Sequence, residues 1–262
     1  MNSKKLIKTT LVLVAAIAAF TFSSCKKDKD ETPTPAGNGT LLFHLHTNVD
    51  TSEVEDYGDV HVMTNNRKIS VDFAQLYISN IQLIKLDGST YTVQGKIVLK
   101  KTATEEYEIG SVPAGNYKSI KFDIGLSSAT NASTPAAGDS TLNQPAMWFG
   151  ATAQPSGFVF VDFEGSIDTT TAANGTIAQM QPFAYRIGTN ANLRTVTMPN
   201  QNYTVSPNQA QFIHMTIDYS KLFTGIALNV NSNLHMSTTA DNAAWLGTQL
   251  SSNISSMFSY EE

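Results

Sequence analysis

Between residue 40 and residue 222 segments whose apolar residues return at every second position recur along this chain, and helical spacing is scarce. GTLLFHLH, KISVDFAQLYISNIQLIKL, YTVQGKIVLKK, YKSIKFDIGL, GFVFVDFEGSI, AYRIG, TVTM and AQFIHMTIDYSKLF each carry Val, Ile, Phe, Tyr and Thr in this rhythm. A period of two puts successive side chains on opposite faces, so these segments read as strands with one buried face. Gly, Pro, Asn and Ser cluster between them: LDGST is a hairpin signal, VPAGNY a turn and SSATNASTPAAGDSTLNQPA a long loop. Short strands with frequent turns and no intervening helices predict an all-β protein, an antiparallel β-sandwich or open barrel of about eight to nine strands. DTTTAANGTIAQM is too rich in Gly and Thr to read as a helix. Only near the end does the spacing change. Trp245, Leu246, Leu250, Ile254, Met257 and Phe258 recur at intervals of three and four, which suits a short amphipathic C-terminal helix lying on the sheets.

The first residues follow another logic. Lys4, Lys5 and Lys8 precede an apolar run from Leu11 to Phe22, then Ser23, Ser24 and the single cysteine, Cys25. The run is too short and too closely followed by charge for a spanning helix, and reads as a secretory signal over residues 1–24. A cysteine directly after such a run and two small residues resembles the bacterial lipobox, which implies that Cys25 is acylated and ties the protein to a membrane. The following KKDKDETPTPAGNG has no apolar spacing, so residues 25–37 form a flexible tether and residues 38–262 the β domain. Lysines and acids just after the lipidated Cys are similar to the surface-export signals of Bacteroidetes lipoproteins. They imply an outer-membrane, lipid-anchored protein facing the cell surface, the alternative being a solvated linker in the periplasm.

Charge narrows the function classes. Removing the three lysines of residues 1–24 takes 17 basic against 22 acidic residues to 14 against 22, a net of −8. An acidic domain with no basic cluster beyond its tether argues against nucleic-acid binding. G-x-S-x-G, H-E-x-x-H and phosphate-cradling glycine loops are missing from the sequence, and Cys25 is the sole thiol. Asp162 and Glu164 share a strand face, but a glycosidase needs its carboxylates on opposite sides of a sugar. The expectation is a binding protein and not an enzyme.

The strand LLFHLHTNVD offers other chemistry. His44 and His46 share one face with Leu42, while Leu41, Phe43 and Leu45 fill the other. Two same-face imidazoles stand about 7 Å apart along a strand and can ligate one metal if a neighbouring strand supplies a third donor. In AQFIHMTIDY the less apolar face holds Phe212, His214, Thr216 and Asp218, so His214 is the natural third donor if the strands pair. Otherwise the histidines are solvated polar-face residues. His61 and His235 read as surface or loop histidines, and the adjacent Met63, Met215 and Met236 point to the opposite faces. Imidazoles without thiolates suit copper or zinc. The acids Asp50, Glu53, Glu55, Asp56 and Asp59 of TNVDTSEVEDYGD follow no fixed calcium spacing and read as a solvated loop.

VDFAQLYISNIQL, PAGNYKSIKFDIGL and the loop closing in LNQPAMWFGATAQPSGFVFVDFEGS together resemble the MbnP-like copper-binding family. The order and spacing of these motifs match from about residue 38 onward. The resemblance implies a secreted or surface β protein that binds copper, with His44, His46 and His214 as the ligands to examine. In founding members the site also uses a tryptophan oxidised to kynurenine by a di-haem partner related to the cytochrome c peroxidases. Their Trp-x-His spacing falls here on His44, which is not Trp. Trp148, in AMWFG, and Trp245 are the tryptophans left for such an oxidation. A Met and Trp pair that closes a long loop is otherwise a packing plug. The implied function is copper acquisition or handling. Its rivals are a metal-free structural or adhesive surface lipoprotein and a carbohydrate-binding module, the latter needing an exposed aromatic platform from residues such as Tyr77, Tyr91 and Phe149.

Overall fold

A computed structural model describes residues 37–261. The leader, Cys25 and the tether through residue 36 lie outside the described residues. Two sheets account for the alternation. The first holds five strands: β1 (Asn38–Val49), β2 (Ser52–Glu53), β7 (Glu106–Pro113), β13 (Ala210–Asp218) and β15 (Phe258–Tyr260). The second holds ten: β3 (Val60–Val62), β4 (Lys68–Lys85), β5 (Thr90–Thr92), β6 (Val98–Lys100), β8 (Gly115–Ile124), β9 (Val159–Asp168), β10 (Met180–Gly188), β11 (Arg194–Thr197), β12 (Tyr203–Val205) and β14 (His235–Met236). The protein is all-β, with its sheets curled into a half-barrel. Its long strands are those of the sequence pattern. The larger count comes from two- to four-residue pairings, such as β2 and β14, too short to leave a period.

Strand order in the first sheet runs β15, β13, β1, β2, with β7 also pairing β1. The pair of β1 with β13 is parallel, with Leu42 opposite Phe212, His44 opposite His214 and His46 opposite Thr216. Most other pairings are antiparallel, as the pattern predicts. This one joins segments more than 160 residues apart, so no turn between them sets its direction. The PAG turn after β7 acts as a crossover: β7 stays in the first sheet while β8 pairs β4 in the second.

The core lies between the sheets. Leu41, Phe43 and Leu45 of β1 and Ile213, Met215 and Ile217 of β13 are buried, in step with the alternation. Phe122 of β8 packs on Phe43 at 6.4 Å and on Phe258 of β15 at 5.2 Å between ring centroids. Each such phenyl contributes about 1.5–3 kcal/mol by leaving water. The tail is helical over Trp245–Asn253, and Leu246, Leu250 and Ile254 are buried as their spacing implies, whereas Trp245 is exposed. A further turn, Ile254–Ser256, then delivers Phe258 to the core and lays β15 against β13. A second apolar cluster, including Tyr77, Leu126, Met147, Phe158 and Phe160, lies under the long loop. No helix among the described residues is long and apolar enough to cross a membrane.

Candidate metal centre

The register of the first sheet builds a row of polar groups on its outer face. His44 and His214 are direct neighbours across the β1–β13 pair, and their Nδ1 atoms stand 3.0 Å apart. His46 is two residues along the same strand and face, its ring centroid 4.3 Å from that of His44. The three imidazoles that alternation assigns to a polar face therefore come together at one place, because the two strands pair in this register. Beneath them Phe43, Leu45, Ile213 and Met215 are buried and hold the strands in place.

Three carboxylates complete the cluster. β15 pairs β13 with Thr216 opposite Ser259 and Met215 opposite Tyr260. The backbone N–H of Glu261 then donates to the carbonyl of His214, which extends the row by one residue. Glu261 Oε2 lies 3.3 Å from His214 Nδ1 and 3.4 Å from His46 Nε2. Glu53 arrives by the tight β1–β2 turn, where Asp50 takes a left-handed φ of 58° and its N–H donates to Asp218 Oδ1. That turn puts Glu53 opposite Asn48, and its carboxylate contacts His46 Nδ1. Glu105 precedes β7, its carbonyl accepting from Leu45 N–H, and its Oε2 is 3.3 Å from His44 Nε2.

The donor spacing fits an ion. One donor atom from each of His44, His46, His214 and Glu261 lies within 4.8 Å of all the others. Ligands held at about 2.0–2.1 Å from a tetrahedral ion stand roughly 3.3 Å from each other. The 3.0, 3.3 and 3.4 Å separations bracket that figure. His46 Nε2 is buried and has no hydrogen-bond partner. The carboxylate facing it is Glu261, at 3.4 Å. His46, Glu53 and Glu105 form a second group with the same 4.8 Å limit, so His46 belongs to both. Burial alone would lower the pKa of His46, but the Glu53 hydrogen bond and the charges of Glu53, Glu261 and Glu105 outweigh it and raise the pKa. Without an ion, the acids hold the imidazole in its cationic form more readily than water does.

Beneath this face lies Lys100, fully buried on β6, its ammonium bonded to Thr47 Oγ1 and, at 3.2 Å, to the Thr102 carbonyl. Burial pulls its pKa down to about 8, against the opposing charge of Glu105. A groove of about 410 Å³ opens beside the cluster, with His214 and Glu261 on its wall and Tyr203, Gln211 and Phe212 around it. The site is therefore reachable from solvent.

Other candidate residues lie elsewhere. Met147 is buried and Trp148 half-buried in the second apolar cluster, where the indole N–H donates to Leu142 O at 3.1 Å and Arg186 donates to the Trp148 carbonyl. His61 is on β3 and His235 on β14, both in the second sheet. Met215 and Met236 face the core. Tyr77 is fully buried, and Tyr91 and Phe149 are half-buried, so these three make no exposed aromatic platform. Cys25 lies outside the described residues. Sequence reasoning missed the carboxylates. Glu53 hid among five acids of one loop, and only the strand register brings Glu105 and Glu261 near the histidines.

A family model, MbnP, matches residues 38–239. Among solved structures, MbnP from Methylosinus trichosporium is similar at 13% sequence identity, over 72% of this chain and 78% of that one, with a TM-score of 0.47. No curated protein sequence matches. Since the family model spans well over half of the sequence, the chain belongs to the MbnP family.

Proposed function

We propose that this chain is a lipid-anchored, extracytoplasmic copper-binding protein that acts in copper acquisition or handling. The observation that carries the reading is the convergence of His44, His46 and His214 with Glu261, one donor atom of each lying within 4.8 Å of all the others. Three imidazoles and no thiolate suit copper or zinc, and the family's link to copper favours copper of the two. Copper bound here would be stored or passed on through the adjoining groove; no nucleophile or acid–base pair is needed for that role. The anchor would be the lipid on Cys25, at the outer membrane and facing outward, which surface proteolysis of intact cells tests directly. Trp148 is held by packing and by Leu142, so the proposal rests on imidazole and carboxylate donors and assigns no part to a di-haem oxidising partner.

The test is a copper competition titration on residues 26–262 beside the H44A/H46A double variant. One-to-one binding in the wild type, weakened by at least about a hundredfold in the variant, is the expected result; this corresponds to roughly 2.7 kcal/mol. Equal weak binding by both would leave the histidines as polar-face residues and sink the copper reading.

A further inference from the structure

The two imidazoles of β1 are each engaged on both sides, and the two sides differ. His44 turns Nδ1 to His214 and Nε2 to Glu105. His46 turns Nε2 toward Glu261 and Nδ1 to Glu53. Each ring thus offers one nitrogen to a common point and the other to a flanking carboxylate. That is how metal-bound histidines are commonly held: the outer N–H donates to a carboxylate, which fixes the tautomer and makes the inner nitrogen a better donor. Glu261 differs from the other two acids, since its Oε2 faces the shared point between His214 Nδ1 and His46 Nε2.

We infer that Glu261 is the fourth, anionic ligand of the site, that Glu53 and Glu105 orient the two imidazoles from outside, and that the set therefore selects Cu(II) over Cu(I). The inference rests on the copper reading above and deepens it. Three neutral nitrogens alone would serve the soft monovalent ion well. A carboxylate oxygen is a harder donor, and its negative charge favours a dication over a monocation. Glu261 is also the most movable donor, since it follows the three-residue strand β15 and lines the open groove.

Wild type, E261Q, E53Q/E105Q and H44A/H46A are titrated against a Cu(II) chelator in air and against a Cu(I) chelator under anaerobic reducing conditions, with Cu(II) electron paramagnetic resonance spectra of each. In E261Q, Cu(II) affinity should fall by about 10–100-fold with an altered copper hyperfine splitting, while Cu(I) affinity changes by less than about threefold. In E53Q/E105Q both affinities should fall by about tenfold or more, with nitrogen coordination kept. If E261Q leaves both affinities unchanged, or lowers them equally, while H44A/H46A abolishes binding, this inference is overturned and the copper site stands. If H44A/H46A binds as wild type does, both fall together.

Discussion

Asp162 on β9 is 2% exposed and sits across the strand pair from Arg186, whose Nη1 is 3.8 Å from its Oδ2. The pair is poorly satisfied: Asp162 Oδ1 and Arg186 Nε have no partners. Burial raises the carboxyl pKa most, Arg186 lowers it, and Glu164 on the same face raises it again, to about 8 in all. An unfolded aspartate titrates near pH 3.9, so between about pH 4 and 8 the folded chain holds a proton that the unfolded chain has released. Stability from this group must therefore fall as pH rises through that window. Asp162→Asn removes the slope: urea midpoints of the wild type should drop more between pH 5 and pH 8 than those of the variant, and equal drops would show that Asp162 stays charged. At this scale the candidate metal site was half legible. His44, His46 and His214 were recoverable because a period of two assigns a face without any knowledge of neighbours. Glu105 and Glu261 were not, since their place depends on which strands pair and in what register, and sequence periodicity carries neither. Glu53 had a partial signal in the tight turn that returns it beside His46.

Among the elements, the long strands were plain from alternation, and the tail helix from its spacing of three and four. β7 was not. EYEIGSVP alternates for only a few residues, and Gly110, at a φ of 128°, interrupts it beside a bulge in its pairing with β1. The parallel course of β1 and β13 was also hidden, because no short connection dictates it. Where β4 and β9 cross closely the sequence does carry a mark. A Cβ on Gly165 would stand 2.0 Å from the Ser70 carbonyl oxygen, a backbone atom that cannot swing aside. Gly165→Ala must push apart the central strands of the second sheet, and should cost on the order of 3–4 kcal/mol in chemical denaturation. A loss below about 1 kcal/mol would mean that the two strands separate easily. The first sheet would feel this only through the shared core, so copper affinity in the folded variant should remain near that of the wild type.

For the molecule as a whole, a metal at the proposed site would join β1, β13 and the residue after β15. Such a ligand binds the folded chain and not the unfolded one, and adds about 2.7 kcal/mol when present at a hundred times its dissociation constant. For a domain of this size that is a rise of about 5–10 °C in Tm. Differential scanning calorimetry with Cu(II) should show the rise in the wild type and none in H44A/H46A, whereas a rise in both would place the metal elsewhere.

The order of the donors along the chain has a further consequence, in time. His44 and His46 lie on the first strand, His214 on the thirteenth and Glu261 on the last residue described. If the chain leaves the cell N-terminus first, as the proposed location requires, its histidine pair emerges early and the proposed third and fourth donors follow only after the intervening strands. Contacts this distant in sequence form late and slowly. A half-exported chain would then offer copper two imidazoles and little hold, and the proposed site would be complete only once β15 and Glu261 had followed. Loss of β15 and Glu261 would undo it, so that metal loading would report on whether β15 is seated against β13.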